Sequence, residues 1–325
     1  MTVTIERGAF HGWEDTWLMR GGPVEARVIA DVGPRVLEMR WRGGPNLFHV
    51  RDGELGGRGE ATWRMRGGWR LWIAPERHAT TYALDNAPCD VAVVEPATLV
   101  VTGPPQPAAS VRKTVRLAMD AARPRIVIES RVKNVGEGAV AFAPWTLAAL
   151  APGGRAFVPL DAAALDAFDA VRRVILWSYA RIDDPRYRFG ETLIAIEHDA
   201  VANGPKPILV APGRTSDESK IGVDTTAGWA AYLLGTTLLI TRALVEPGDR
   251  VDGGATVEIY SSRSFIELEH LGPLRQVPPG DEVVLREDWW LFDPVTLPPA
   301  EEGLDAVGAA LKPWVARVLR VPLGA

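Results

Sequence analysis

Alternation of apolar and polar residues is the strongest regular pattern in this chain. In the stretch RIVIESRVKNVG, Ile126, Ile128 and Val132 alternate with Glu129 and Lys133. A period of two predicts a strand with one buried and one solvent-facing side, as in an antiparallel sheet. Similar runs predict further strands at Glu25–Ala30, Arg35–Trp41, Asp90–Val101, Thr192–Glu197, Thr256–Tyr260, Phe265–Leu268 and Glu282–Glu287.

Turn and helix signals complete this pattern. The run AAYLLGTTLLITR has two apolar halves around Gly235 and Thr236, which predicts a hairpin. Only two stretches have helical spacing. One is Asp161–Arg173, which begins with a capping aspartate, and the other is the tail from Glu301 to Leu319, interrupted at Pro313.

Many strands, few helices and no alternation of strands with helices predict an all-β fold. The expected architecture is a large sandwich of antiparallel sheets. No repeat and no shift in composition marks a boundary, so residues 1–325 are expected to form one domain. The C-terminal helical tail, at about residues 301–319, is expected to belong to that domain.

Composition and charge exclude several classes of protein. The 325 residues are 47% hydrophobic and 24% charged, which is ordinary for a globular protein. The net charge is −5 with both signs interspersed, so no nucleic-acid partner is expected. The sequence has neither a signal peptide nor an apolar stretch long enough to span a membrane. We therefore expect a cytoplasmic protein with no membrane partner, while the oligomeric state stays open.

The residues that commonly bind metals and cofactors are sparse. The single cysteine, Cys89, excludes an internal disulfide and is expected to be a small buried hydrophobe. The histidines His11, His49 and His198 lack metal-ligand spacing, and the acidic loop at 181–191 lacks the pattern of a calcium loop. No phosphate-binding loop or dinucleotide motif occurs. No metal and no cofactor is therefore expected.

The first candidate site lies in GGWRLWIAPERH, residues 67–78. If Trp69–Ala74 is a strand, Arg70 and Trp72 share one face, and the alternate residues face the core. An indole can cover the C–H face of a sugar ring while a guanidinium donates hydrogen bonds to its hydroxyls. Ordinary packing of arginine on tryptophan explains the same two residues without a ligand.

Polar residues follow this strand directly. Pro75 is expected to end the strand, which places Glu76 and His78 on a loop at the rim of the sheet. Loops held by a rigid scaffold often carry functional side chains. Both residues are therefore candidates for a functional role.

The second candidate site is SFIELEHLGPL near the C-terminus. Glu267 and Glu269 are two residues apart, so they share one face of a strand. Repulsion between two such carboxylates in a cleft would raise one pKa and suit a general base or acid. On spacing alone, an edge strand with charges facing water is the commoner explanation.

Several segments resemble the galactose mutarotase-like superfamily. VEARVIADVGPRVLEMRWRGGPNLFHV resembles its N-terminal strands with their Gly-Gly-x-Asn-Leu turn. GGWRLWIAPE, AFAPWTLAALAPGG and FIELEHLGPLRQVPPGDEVVLREDWWLF resemble segments of one bacterial branch of that superfamily. The similarity extends from about Trp13 to Phe292. It implies a β-supersandwich with a groove that holds a carbohydrate and needs no cofactor.

The resemblance also implies a mechanism, with one departure. In the superfamily a histidine protonates the ring oxygen of an aldose and a glutamate removes the anomeric proton. The stretch that corresponds to the histidine is Ala143-Pro144-Trp145-Thr146 here, without a histidine. The glutamate corresponds to Glu267 or Glu269.

These expectations define three hypotheses. The first is an aldose 1-epimerase-like enzyme, with Glu267 or Glu269 as base and His78, or next Glu76, as acid. The second is a carbohydrate-binding protein that has lost catalysis together with the histidine. A lyase or hydrolase is a third hypothesis, weakened because the chain leaves no room for a further catalytic domain. The residues expected to hold the sugar are Arg70, Trp72, Trp145 and Lys220. Lys220 is included because of the resemblance, and a lysine in a solvated turn would explain the sequence there equally well.

Overall fold

The computed structural model describes residues 2–95, 97–161, 172–198 and 217–323. Within these ranges the chain forms two large antiparallel sheets, which confirms the predicted all-β sandwich. Nearly all of the helix predicted over Asp161–Arg173 lies outside the described residues.

The first sheet contains eleven strands in the described part of the chain. From one edge to the other its order is β1 (Thr4–Phe10), β2 (Trp13–Gly21), β3 (Val24–Ile29), β4 (Arg35–Trp41), β5 (Trp69–Ala74), β10 (Val140–Leu150), β19 (Ile266–Leu271), β18 (Val257–Ser261), β15 (Ser219–Asp224) and β12 (Arg173–Leu176). A short strand, β20 (Arg275–Val277), pairs with the beginning of β10.

The second sheet contains ten described strands. Their order is β13 (Tyr187–Phe189), β14 (Leu193–Glu197), β11 (Arg155–Pro159), β16 (Trp229–Leu234), β17 (Thr237–Ala243), β21 (Glu282–Phe292), β9 (Arg125–Asn134), β8 (Val111–Met119), β7 (Thr98–Thr102) and β6 (Asp90–Glu95). Two α-helices are described, α1 (His78–Thr81) and α2 (Leu304–Leu319).

The alternation of side chains along β5 assigns its two faces. Trp69, Leu71 and Ile73 point into the main core, as the sequence predicted. Trp69 packs against Trp289 of the second sheet with ring centroids 5.6 Å apart. Burial of each large apolar side chain contributes about 1.5–3 kcal/mol, so this inner face fixes the orientation of the strand. Arg70 consequently points away from the second sheet.

Turns decide where the predicted strands end. The hairpin predicted at Gly235 is confirmed, because Leu234 pairs with Thr237 and Gly235 has a φ of 58°. The single run predicted over Asp90–Val101 is wrong, because the chain forms the antiparallel pair β6 and β7 there. Pro96 interrupts the run in sequence, and proline lacks the N–H that a continuing ladder requires.

Helix α2 covers the outer face of the second sheet. Its apolar side packs on that sheet through Leu304, Val307, Leu311, Val315 and Val318. The helix continues through Pro313, where the sequence predicted an interruption. Proline costs a helix about 3 kcal/mol, whereas each buried apolar side chain contributes about 1.5–3 kcal/mol, so packing outweighs the proline.

A buried ion cluster holds the end of α2. Asp288 accepts hydrogen bonds from Arg125 at 2.8 Å and Arg242 at 2.7 Å. Arg242 also donates to the backbone carbonyls of Val318 and Val321. The carboxylate therefore organises two guanidinium groups that bind the C-terminal segment.

Three smaller expectations can be compared with the structure. Cys89 is buried as expected, and burial raises its pKa to about 12. In the acidic loop, Asp183 and Asp184 pair with Arg181 and Arg186, respectively. No helix in the described ranges is long and apolar enough to cross a membrane.

Candidate functional site

A pocket of about 270 Å³ opens on the face of the first sheet that points away from the second. Its floor is formed by the central strands β5, β10, β19 and β18 and by β15 beside them. The inner faces of these strands are packed in the core, so the side chains at the alternate positions line the pocket.

The structure brings together seven of the eight predicted site residues. The residues that line the pocket are Arg70, Trp72, Glu76, Trp145, Lys220, Glu267 and Glu269. They come from four strands and one loop, and the pairing of those strands puts them on one surface.

His78 is the exception. It begins the short helix α1, and its exposed imidazole stacks on Tyr82 with ring centroids 5.6 Å apart. Tyr82, and not His78, lines the pocket. His78 therefore lies outside the group of predicted residues that line the pocket, and its role as the acid stays a prediction. Among the described residues that line the pocket, there is no histidine.

Arg70 and Glu267 form a buried pair at the floor. Arg70 Nη1 donates to Glu267 Oε1 at 2.7 Å, and the two side chains are 4% and 8% exposed. The guanidinium also lies 4.1 Å from the ring centroid of Trp72. Strand β10 separates β5 from β19, so this pair reaches diagonally across one intervening strand. It fixes Glu267 as an oriented carboxylate.

Lys220 lies in a second buried cluster. Its ammonium group is 2.6 Å from Glu258 Oε2 and 2.8 Å from Glu269 Oε2, and it lies between the rings of Trp145 and Trp177. Burial lowers the pKa of Lys220, but the charges and hydrogen bonds of the two glutamates raise it by more. Lys220 is therefore a fixed cation on strand β15, and the solvated-turn explanation is wrong.

The glutamates of β19 are not on a solvated edge. Strand β19 lies between β10 and β18, and Glu267 and Glu269 are both buried. Glu269 accepts a hydrogen bond from Trp145 Nε1 at 2.8 Å in addition to that from Lys220. Burial raises the pKa of Glu269. Both glutamates face the pocket, but Glu269 is already engaged by two donors.

An aromatic wall lines the pocket near β5. Trp72 packs against Trp63, Tyr82 and Trp145, with ring centroids 5.1, 4.9 and 5.4 Å apart. Sequence analysis identified Trp72 and Trp145 but missed Trp63 and Tyr82. Those two lie on connecting segments, where no periodicity predicts the direction of a side chain. Such a wall presents flat apolar faces of the kind that pack on sugar rings.

A tyrosine–glutamate pair lies at each end of the pocket. Near β5, the Tyr82 hydroxyl donates to Glu76. Burial, and then the hydrogen bond to Glu76, raises the pKa of Tyr82. Near β15, burial and the charges of Glu218 and Glu267 raise the pKa of Tyr260.

The pair at β15 was also missed. Glu218 lies two residues before Lys220, a spacing that could have assigned it to the same face. Tyr260 is directly opposite Glu267 in the register of β18 and β19. Only that register, which the sequence does not encode locally, brings the tyrosine beside the carboxylate.

Metal-ligand geometry is absent from the part of the chain that the structure describes. No group of three or more histidine, cysteine, aspartate or glutamate side chains there is arranged to hold a metal ion.

Comparisons with known proteins identify the fold. No protein-family model matches the sequence, and no curated protein matches it. A "putative aldose 1-epimerase" from Klebsiella pneumoniae has a similar solved structure, with a TM-score of 0.56 and 10% identity over 96% of this chain and 87% of that one. A galactose mutarotase-like protein from Lactobacillus casei is similar with a TM-score of 0.53 and 10% identity, covering 85% of this chain and 99% of that one.

A galactose mutarotase related enzyme from Lactobacillus acidophilus is similar with a TM-score of 0.50 and 8% identity, covering 87% of this chain and all of that one. The chain therefore has the galactose mutarotase-like fold. At these identities the likeness establishes the fold alone, and the chemistry has to be argued from the pocket.

Proposed function

We propose that this protein binds a monosaccharide in the pocket and catalyses exchange between its α and β anomers. The observation that carries this proposal is that Arg70, Glu267 and the aromatic wall around Trp72 line one cavity. They come from segments that are far apart in sequence. At about 270 Å³, the cavity is slightly smaller than the range of about 300–1,000 Å³ for drug-sized ligands. That size suits one sugar ring.

Glu267 is the proposed base. Arg70 holds one of its oxygens, which leaves the other to accept the proton of the anomeric hydroxyl. As that proton leaves, the bond between C1 and the ring oxygen breaks and an open-chain aldehyde forms. A positioned carboxylate of this kind contributes about 10²–10⁴-fold to a proton transfer.

Tyr82 is the proposed proton donor to the ring oxygen. Tyr82 lines the pocket together with Glu267. Its hydroxyl donates its single proton to Glu76 in the structure, and that O–H turns to the ring oxygen when the sugar binds. A phenol with a raised pKa is still acidic enough to protonate the alkoxide that ring opening generates. After rotation about C1–C2, Glu267 returns its proton to the aldehyde oxygen. The ring oxygen attacks the other face of C1 and gives its proton back to Tyr82.

Exchange spectroscopy by NMR tests this mechanism directly. With catalytic amounts of protein, a panel of aldoses should show anomer exchange faster than in buffer alone. Glu267→Gln and Tyr82→Phe should each reduce the acceleration by about 10²-fold or more. Glu137→Gln, an exposed site on the β9–β10 connection, should leave it unchanged. Uncatalysed rates for every aldose with the wild-type protein would overturn the proposed catalysis.

Binding without turnover is the second candidate function. It is favoured by Trp145, which lies in the stretch where the superfamily has a catalytic histidine and here binds Glu269 instead. Under this alternative, sugars would bind in the pocket and Trp72→Ala would weaken their binding. The wild-type protein would leave the anomer exchange rate of a bound sugar unchanged.

A further inference from the structure

The cations of the pocket are already neutralised by carboxylates of the protein. Arg70 pairs with Glu267, and Lys220 lies between Glu258 and Glu269. At the rim, Arg51 is 3.3 Å from Glu54. A sugar phosphate or sugar acid would therefore find no uncommitted lysine or arginine among the described residues of the pocket.

Within the described ranges, two of the carboxylates that line the pocket have no such cationic partner. Glu76 accepts a hydrogen bond from the neutral hydroxyl of Tyr82. No lysine or arginine of the described residues forms a salt bridge with Glu218, which is half-buried beside Tyr260. Like charges repel and opposite charges attract, most strongly at short range in a partly buried site. An anionic ligand near Glu218 would be repelled, and a cationic one would be attracted.

Aromatic rings reinforce this preference. Tyr260 and Phe265 lie beside each other at the Glu218 end, with ring centroids 5.6 Å apart. Both line the pocket together with Glu218. The faces of aromatic rings carry partial negative charge and attract ammonium groups. A carboxylate beside two such rings forms a site for a protonated amine.

We infer that the natural ligand is an amino sugar whose free ammonium group binds Glu218 beside Tyr260 and Phe265. This inference rests on the proposed function, because it places the sugar ring in the same pocket. It assigns the two tyrosine–glutamate pairs different tasks. Tyr82 with Glu76 serves proton transfer, whereas Glu218 selects the substrate.

Calorimetric titration of the full chain tests this assignment. The probes are 2-amino-2-deoxy forms of glucose, galactose and mannose, the parent hexoses, the N-acetylated forms and the uronic acids. For at least one stereochemistry, the amino sugar should bind ten or more times as tightly as its parent and its N-acetylated form. The advantage should shrink at high salt and disappear above the pKa of the amine.

Glu218→Gln provides the matched variant, because it removes the charge and keeps the shape. It should abolish the tenfold preference while the parent hexose binds as before, and Glu137→Gln should change neither affinity. Equal affinity for amino and parent sugars, or tighter binding of a uronic acid, overturns the amino-sugar assignment and leaves the proposed function intact. If no monosaccharide binds and no anomer exchange is accelerated, both proposals fail.

Discussion

Arg70 and Glu267 are 197 positions apart in the sequence, yet their side chains meet at 2.7 Å beneath the pocket. Both are buried, so each charge depends on the other for compensation. Removal of one partner of a buried ion pair typically costs about 3–5 kcal/mol, because the remaining charge is left without a counter-ion.

We expect Arg70→Met and Glu267→Gln each to lower the free energy of unfolding by several kcal/mol. The double variant should lose much less than the sum of the two, since neither charge then remains unpaired. Urea denaturation of the four proteins measures this coupling. Strictly additive losses of unfolding free energy would mean that the two charges do not depend on each other for compensation.

Glu287, on strand β21 of the second sheet, makes the stability depend on pH. Burial raises the pKa of this inward-facing carboxyl to about 8, from an ordinary value of 4.5. Between these two values the folded protein holds a proton that the unfolded chain releases. The contribution of Glu287 to stability is therefore complete below about pH 4.5 and falls as the pH rises to about 8.

Glu287→Gln should remove this dependence. One proton changes the free energy of unfolding by at most about 1.4 kcal/mol per pH unit. The difference in stability between the variant and the wild type should grow in favour of glutamine from pH 5 to pH 8. Denaturation curves at fixed pH values measure it, with Glu137→Gln as an exposed control. A constant difference across that range would show that Glu287 does not titrate there.

The sequence predicted well which face of a strand each side chain occupies, because the alternation of side chains is a local rule. Alternation placed Arg70 and Trp72 opposite the core, and it placed Glu267 and Glu269 together. Strand pairing is not local. That Tyr260 lies opposite Glu267 follows from the register of β18 and β19, which depends on the packing of the whole sheet.

The rim of the pocket was predicted less well. Glu76 and His78 both follow β5, but only Glu76 lines the pocket, since α1 turns His78 outward. Trp63 lies in a segment without regular structure, and its position depends on packing against Trp72. Connecting segments lack the periodicity that makes strands predictable, so their functional residues become visible only in three dimensions.

The Asp288 cluster should govern the attachment of α2. Asp288→Asn removes the charge that two buried guanidinium groups share, and we expect a loss of about 3–5 kcal/mol in unfolding free energy. Hydrogen exchange in α2 should accelerate more than exchange in the first sheet. Asp90→Asn, at a side chain that is 87% exposed, is the control and should change stability by less than about 0.5 kcal/mol. Uniform acceleration throughout the protein would contradict a local role.

Trp63 should contribute to ligand binding more than to stability. It is half-buried and packs on the pocket side of Trp72 and Tyr82. Trp63→Ala should weaken sugar binding about tenfold, because stacking with an aromatic ring contributes about 0.5–1.5 kcal/mol beyond the area buried. Trp41→Ala, at a half-buried tryptophan outside this pocket, should leave the affinity unchanged. Equal affinities for both variants would exclude Trp63 from the binding surface.

Substitutions of the two glutamates of β19 should affect different kinetic parameters of anomer exchange. Glu267 is the more accessible of the two, at 8% exposed against 1% for Glu269. Arg70 binds Oε1 of Glu267, whereas Lys220 and Trp145 both bind Oε2 of Glu269, whose Oε1 is buried without a partner. Glu267→Gln should therefore lower kcat for anomer exchange by about 10²–10⁴-fold with little change in KM. Glu269→Gln leaves Lys220 with one carboxylate and should act mainly through stability and KM.

Saturation kinetics by polarimetry, together with thermal denaturation, distinguish the two effects. Lys220→Met combined with Glu269→Gln should lose more stability than Glu269→Gln alone, because the buried Glu258 is then left without its ammonium partner. The loss of kcat in Glu267→Gln should not depend on this cluster. If Glu269→Gln abolished exchange in a protein of undiminished stability while Glu267→Gln remained active, the base would be Glu269 and the ion pair with Arg70 would be structural.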